Sequence, residues 1–214
     1  MKQKIKQLLC LLLACQLFTG TAWARPDWPA DTGIQAEAGI VMDADSGAIL
    51  FGQNIHVPYP PASITKILTA LIVLEHAQPD EMVTFTETAC NSVESDSGNK
   101  LGVVPGDTLT VEDCLYGLLL VSANQAANAL AEHVAGSIPA FVDMMNDKLA
   151  ELGCTESHFD NPSGLNGDTQ YVTAYDMALI AQAAYQNETL LEISSVKNHK
   201  LAPTINYPGG LTVN

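Results

Sequence analysis

The chain has 214 residues, 47% of them hydrophobic and 15% charged, which suits one packed domain or two small ones and excludes a disordered polymer. Its formal charge is −15; Lys2, Lys4 and Lys6 precede residue 25 with no acid, so all 24 acidic residues face only six basic ones thereafter. A surface that acidic argues against nucleic acid as a partner, and against adhesion to anionic lipid through basic patches.

Residues 1–24 read as a secretory signal peptide, with three lysines, an apolar stretch from Leu8 to Phe18 and the small-residue pattern Ala22-Trp23-Ala24 at the cleavage site. Gln16 and Thr19-Gly20-Thr21 interrupt the run before it reaches the roughly 20 apolar residues that a spanning helix needs. A weaker alternative is the loose lipoprotein box Leu12 to Cys15. Export to an extracytoplasmic space follows from either. Residues 25–35 read as a leader containing Pro, Asp and Gly. Two short apolar runs, Gly39 to Met42 and Ala48 to Phe51, flank Asp43-Ala44-Asp45-Ser46-Gly47 and predict a hairpin with Gly47 at a positive φ. After Pro60-Pro61 a helix is expected from Ala62 or Ser63, because Ile64, Ile67, Leu68, Leu71 and Ile72 follow helical spacing. Its other faces are also apolar, so it should be buried nearly all round. Met82 to Glu87 reads as a short strand, and Val93 to Thr110 as a surface loop.

Thr110 to Asp113 resembles a capping box opening a helix to about Val121. A second helix is expected from Asn124 to Ala135, stopped by Gly136. A third follows, capped by Ser137, with Pro139 in its first turn and Gly153 beyond its end. His158 to Asp168 is a loop by composition. Thr173 should cap a helix to about Tyr185, a shorter helix should span Glu188 to Ile193, and turn residues close the chain. The order predicts an α/β (α+β) class, a sheet with a helical layer. Cys90, Cys114 and Cys154 lack disulfide-framework spacing and read as buried or half-buried thiols. The five histidines show no metal-ligand spacing, so neither a metal nor another cofactor is expected.

Ser63 and Lys66 stand out at the mouth of the apolar helix. At i and i+3 they share a face. Ser63 in the first turn lies near unpaired backbone N–H groups, useful to a nucleophile that must carry an oxyanion. Lys66, walled by apolar side chains, would be desolvated, its pKa lowered, and so available as a general base. A serine cap followed by a solvent-facing lysine is the ordinary alternative. Ser122 and Asn124, at a junction between helices, could turn a hydroxyl and an amide inward; alone, each reads more simply as a helix cap.

Ser-x-x-Lys followed by Ser-x-Asn are two of the three motifs of serine penicillin-recognising enzymes. From about Ala36 onward the chain resembles the D-alanyl-D-alanine carboxypeptidases, the low-molecular-mass penicillin-binding proteins. Carrying the resemblance are "PASITKILTALIVLE", "LTVEDCLYGLLLVSANQAANALAEHVAG", "FVDMMNDKLAELG" and "HFDNPSGLNGD". The resemblance implies a penicillin-binding/serine β-lactamase-like fold, a mainly antiparallel sheet flanked by helices with a helical subdomain. It implies a serine hydrolase that removes the terminal D-alanine from peptidoglycan stem peptides ending in D-Ala-D-Ala and is acylated by β-lactam antibiotics. In that scheme Ser63 is the nucleophile, Lys66 its base, Ser122 a proton relay to the leaving amine and Asn124 a substrate ligand. Asn161, Ser163 and Asn166 would structure a loop near the cleft. Gln125 stands where the family commonly has an acid. The third motif, Lys-Thr-Gly, does not occur in the chain. Residues 36–214 are therefore expected to be a partial catalytic domain, inactive alone, with the remaining strands and any membrane-associating segment lying beyond it. A non-catalytic β-lactam sensor or wall-binding module is the alternative. A serine β-lactamase is disfavoured, because no glutamate stands in the loop where the deacylating base is needed.

Overall fold

The structure, a computed structural model, describes residues 34–92, 100–165 and 167–214. The signal reading of residues 1–24, most of the leader, part of the expected surface loop and Asn166 lie outside the described residues.

Strands β1 (Gly39–Met42) and β2 (Ile49–Gln53) form the expected antiparallel hairpin, with a bulge between Val41 and Met42. Its turn is fixed by Asp43, whose Oδ1 accepts the Ser46 N–H at 2.8 Å, and by Gly47 at φ 70°. The expected helix begins less regularly than its spacing suggests. Residues Ala62–Thr65 form a 3₁₀ turn, and the α-helix proper, α1, runs from Lys66 to His76. Between Lys66 and Glu75 this helix contains no charge. It buries Leu68, Ala70, Leu71, Ile72 and Val73 and becomes the central post of the molecule.

Strand β3 (Met82–Thr84) is followed by a short helix, α2 (Glu87–Asn91), which the sequence reading did not anticipate. Its cap is Thr86, whose hydroxyl accepts the Ala89 N–H at 3.0 Å. The expected surface loop is corrected at its C-terminal end. Thr108–Thr110 form β4, antiparallel to β3, and Leu101 and Val103 are core residues. Helices α3 (Val111–Leu120), α4 (Asn124–Ala135), α5 (Ile138–Glu151), α6 (Ala174–Ala184) and α7 (Glu188–Ser195) then appear close to where their caps and stops put them. Thr110, Ser137, Thr173 and Asn187 each accept a first-turn N–H, a bond typically worth about 1 kcal/mol. Gly136 ends α4 in the left-handed conformation at φ 78°. Beyond α7, β5 (His199–Lys200) pairs antiparallel with β6 (Thr212–Val213).

All three described strand pairs are antiparallel, and α1 packs against α3, α4, α5, α6 and α7. Together these elements give the α/β class, with a helical body around one buried helix. Cys90, Cys114 and Cys154 are buried free thiols, and burial raises the pKa of each. Among the described residues no helix is long and apolar enough to cross a membrane.

Candidate active site

The 3₁₀ turn ahead of α1 presents Ser63 to solvent, while the next turn draws Lys66 inward to 2% exposure. The Lys66 ammonium or amine nitrogen lies 3.2 Å from Ser63 Oγ and donates to the Ser163 carbonyl at 2.8 Å. No carboxylate faces it among its recorded partners, so burial acts unopposed and lowers its pKa from 10.5 to about 8. At pH 7 roughly one such lysine in ten is neutral. That population supplies a lone pair beside a hydroxyl, the arrangement a serine nucleophile requires.

The entry to this turn is held from the far end of the chain. Tyr59 and Val172 exchange backbone hydrogen bonds of 3.0 and 2.9 Å, fastening the residues before Pro60 to the segment before α6. From the same region the loop Asn161 to Leu165 folds over Lys66. Thr69 Oγ1, one turn beyond the lysine, donates to the Pro162 carbonyl at 2.8 Å. Gly164 has φ +83°, and a Cβ there would lie 1.8 Å from the Ala62 carbonyl oxygen and 2.4 Å from Thr65 Oγ1. The loop and the nucleophile turn therefore touch backbone to backbone, at a distance only glycine permits. Sequence reasoning placed Asn161 and Ser163 near the cleft as loop-structuring residues. It did not identify the Ser163 carbonyl as a partner of Lys66, because a main-chain acceptor has no residue type of its own.

Ser122 and Asn124 stand where α3 gives way to α4. Neither caps α4: its N-cap is Ala123, with no side-chain cap bond, so the simpler alternative for this pair does not describe the fold. Ser122 is half-buried with φ 58°, and Asn124 is 1% exposed in the first helical turn. Ser122 makes no direct hydrogen bond to Ser63 or Lys66 among the described residues and lines a shallow cavity of about 390 Å³ with Lys100, Leu120 and Val121. Among the described residues only Asn54, Ala62 and Ser122 are non-glycine residues at positive φ. Two of the three thus belong to the motif segments, where strain of order 1–3 kcal/mol is characteristically held.

A larger cavity, about 590 Å³, lies between β1 and α6 and is lined by Ile40, Met42, Tyr59, Pro61, Ile64 and Met177 among others. It takes in neither Ser63 nor Lys66, and no lysine, histidine or carboxylate lines it to activate a hydroxyl, so the Ser63–Lys66 pair is the candidate centre.

The D-alanyl-D-alanine carboxypeptidase family profile matches residues 25–208. The chain is 31% identical over 196 residues to the D-alanyl-D-alanine carboxypeptidase DacF of Bacillus subtilis, covering 89% of this chain and 50% of that protein. It is 40% identical over 176 residues to DacB2 of Mycobacterium tuberculosis, covering 79% and 55% respectively. The crystal structure of the D-alanyl-D-alanine carboxypeptidase DacD from Francisella tularensis superposes with a TM-score of 0.74 at 34% identity, over 86% of this chain and 46% of that one. The chain thus spans about half the length of the curated relatives it matches.

Proposed function

Because the chain belongs to the D-alanyl-D-alanine carboxypeptidase family, we propose that it carries the acylating centre of a serine D,D-carboxypeptidase, with Ser63 as nucleophile and Lys66 as general base. The contact between a buried lysine nitrogen and an exposed serine hydroxyl, at 3.2 Å, carries this reading. Neutral Lys66 takes the Ser63 hydroxyl proton as Oγ bonds to the carbonyl carbon of the penultimate D-alanine. The tetrahedral intermediate collapses, the C–N bond breaks, and the leaving amine of the terminal D-alanine receives a proton through Ser122. Water then attacks the ester, returns Ser63 to its hydroxyl form and releases the shortened peptide. Asn124 would hold the substrate's peptide group. The substrates are peptidoglycan stem peptides ending in D-Ala-D-Ala, and a β-lactam, whose strained amide mimics that end, would acylate the same oxygen. The place of action is extracytoplasmic, on the cell-wall face, as the signal-like residues 1–24 suggest.

In protein that also carries a Lys-Thr-Gly segment, labelled penicillin should attach to Ser63, found by peptide mapping, and Ser63→Ala should abolish the label while the circular dichroism spectrum stays unchanged. Lys66→Arg should abolish it too, because a guanidinium stays protonated. Label on another residue, or near-normal acylation in the arginine variant, removes the assignment. Acylation without release of D-alanine from a D-Ala-D-Ala peptide would favour a β-lactam sensor over an enzyme.

A further inference from the structure

A neutral lysine amine has one lone pair and two N–H bonds. For Lys66 to accept a proton from Ser63, the lone pair must point at Oγ, so rotation about Cε–Nζ has to be fixed by whatever takes an N–H. That acceptor is the Ser163 carbonyl, 2.8 Å away. Ser163 is fully buried, and its own hydroxyl is turned away from the lysine, donating to Asn161 Oδ1 at 2.9 Å. The same Oδ1 accepts the Ser163 N–H at 3.1 Å and the Gly164 N–H at 2.7 Å. Asn161 Nδ2 donates to the Leu165 carbonyl at 2.6 Å. One 5%-exposed side chain therefore holds both N–H groups that flank the carbonyl facing Lys66.

We propose that Asn161 is a positioning residue for Lys66, acting through the Ser163 carbonyl: it locks the 163–164 peptide so that the lysine nitrogen is oriented toward Ser63 and kept out of water. Its effect on acylation rests on the Ser63–Lys66 reading above; its effect on the lysine itself does not. The loop is also tied to α1 by Thr69, but that bond ends on the Pro162 carbonyl, one residue removed from the lysine's partner. Two tethers of the same loop thus differ in whether they set the peptide that meets Lys66.

The test is the titration of Lys66 in the uninhibited chain, followed by the ¹³Cε resonance of labelled lysine and assigned by its disappearance in Lys66→Arg. Asn161→Ala should free the peptide, admit water and raise the midpoint by about one pH unit from its value near 8, toward the ordinary 10.5. Thr69→Val should leave the midpoint in place, even where it lowers the melting temperature as much. Asn161→Ser, whose hydroxyl can accept only part of the set, should give a smaller upward shift and serves if the alanine variant does not fold. An unchanged midpoint in a folded Asn161 variant, or an equal shift in Thr69→Val, overturns the positioning role. Midpoints that move as stated, where penicillin never labels Ser63 even in protein that also carries a Lys-Thr-Gly segment, would overturn the proposed function and leave the positioning intact.

Discussion

Lys66 links the chemistry to stability. Its pKa is 10.5 in the unfolded chain and about 8 in the fold, so between those values the unfolded state holds the extra proton. Stability must then rise with pH across this window, by up to about 3 kcal/mol from this one group. Lys66→Met removes the titration. Urea unfolding at pH 7 and pH 10 should show wild type gaining relative to the methionine variant; a constant gap would mean that the lysine is not desolvated. The methionine also strands the Ser163 carbonyl, but that cost does not vary with pH and leaves the slope readable. A second residue-scale case is Gln125, 4% exposed on α4. Its Oε1 accepts the Leu101 N–H at 3.1 Å and its Nε2 donates to the Val103 carbonyl at 3.2 Å. Gln125→Glu keeps the acceptor, loses the donor and buries a carboxylate, so denaturation should show a loss of about 1–3 kcal/mol at pH 7, recovered in part in acid. The amide at this position holds the neighbouring chain. Ser63 and Lys66 were legible because type and spacing alone put a base one turn from a hydroxyl inside an apolar helix. The acceptors that orient the base were not, because they are main-chain oxygens placed by a loop about a hundred residues away.

At the scale of elements, the helices were legible from punctuation: Thr110, Ser137 and Thr173 at the starts, Gly136 at a stop. Strand β4 was not. Its sequence is short and lies after a run of polar and turn residues, and its partner β3 is more than twenty positions away. What fixes that region is tertiary: Gln125 binds Leu101 and Val103, and Asn128 donates to Ser92 Oγ at 2.7 Å. The loop over Lys66 is likewise held by distant contact, which a pair of glycines can separate from local strain. Gly164 and Gly153 have φ of +83° and +76°, yet a Cβ on Gly153 would meet nothing within 4 Å. Gly153→Ala should cost only the left-handed backbone term, about 1–2 kcal/mol. Gly164→Ala adds a collision with the Ala62 carbonyl, so it should cost more than Gly153→Ala and lower the melting temperature further. Equal melting temperatures for the two variants would show that the loop does not bear on the nucleophile turn.

For the molecule as a whole, the class and the single buried post were legible from hydrophobic pattern. The way motif segments converge was not, since it depends on pairings such as Tyr59 with Val172 that join distant stretches. Net charge also acts at this scale. The hairpin turns Val41, Ile49 and Leu50 toward solvent, with exposures of 52%, 42% and 45%. Two molecules that met there could bury these side chains against each other, but a formal charge of −15 makes each approach repulsive. The hairpin's stickiness is therefore under the control of the medium. Salt shortens the reach of that repulsion to about 10 Å at 0.1 M and about 3 Å at 1 M. Light scattering should show association growing as sodium chloride is raised, and Leu50→Lys should suppress it by breaking the apolar patch. In colloidal terms the expected behaviour is that of a charge-stabilised particle, whose apolar contact face is held apart by repulsion until salt screens it.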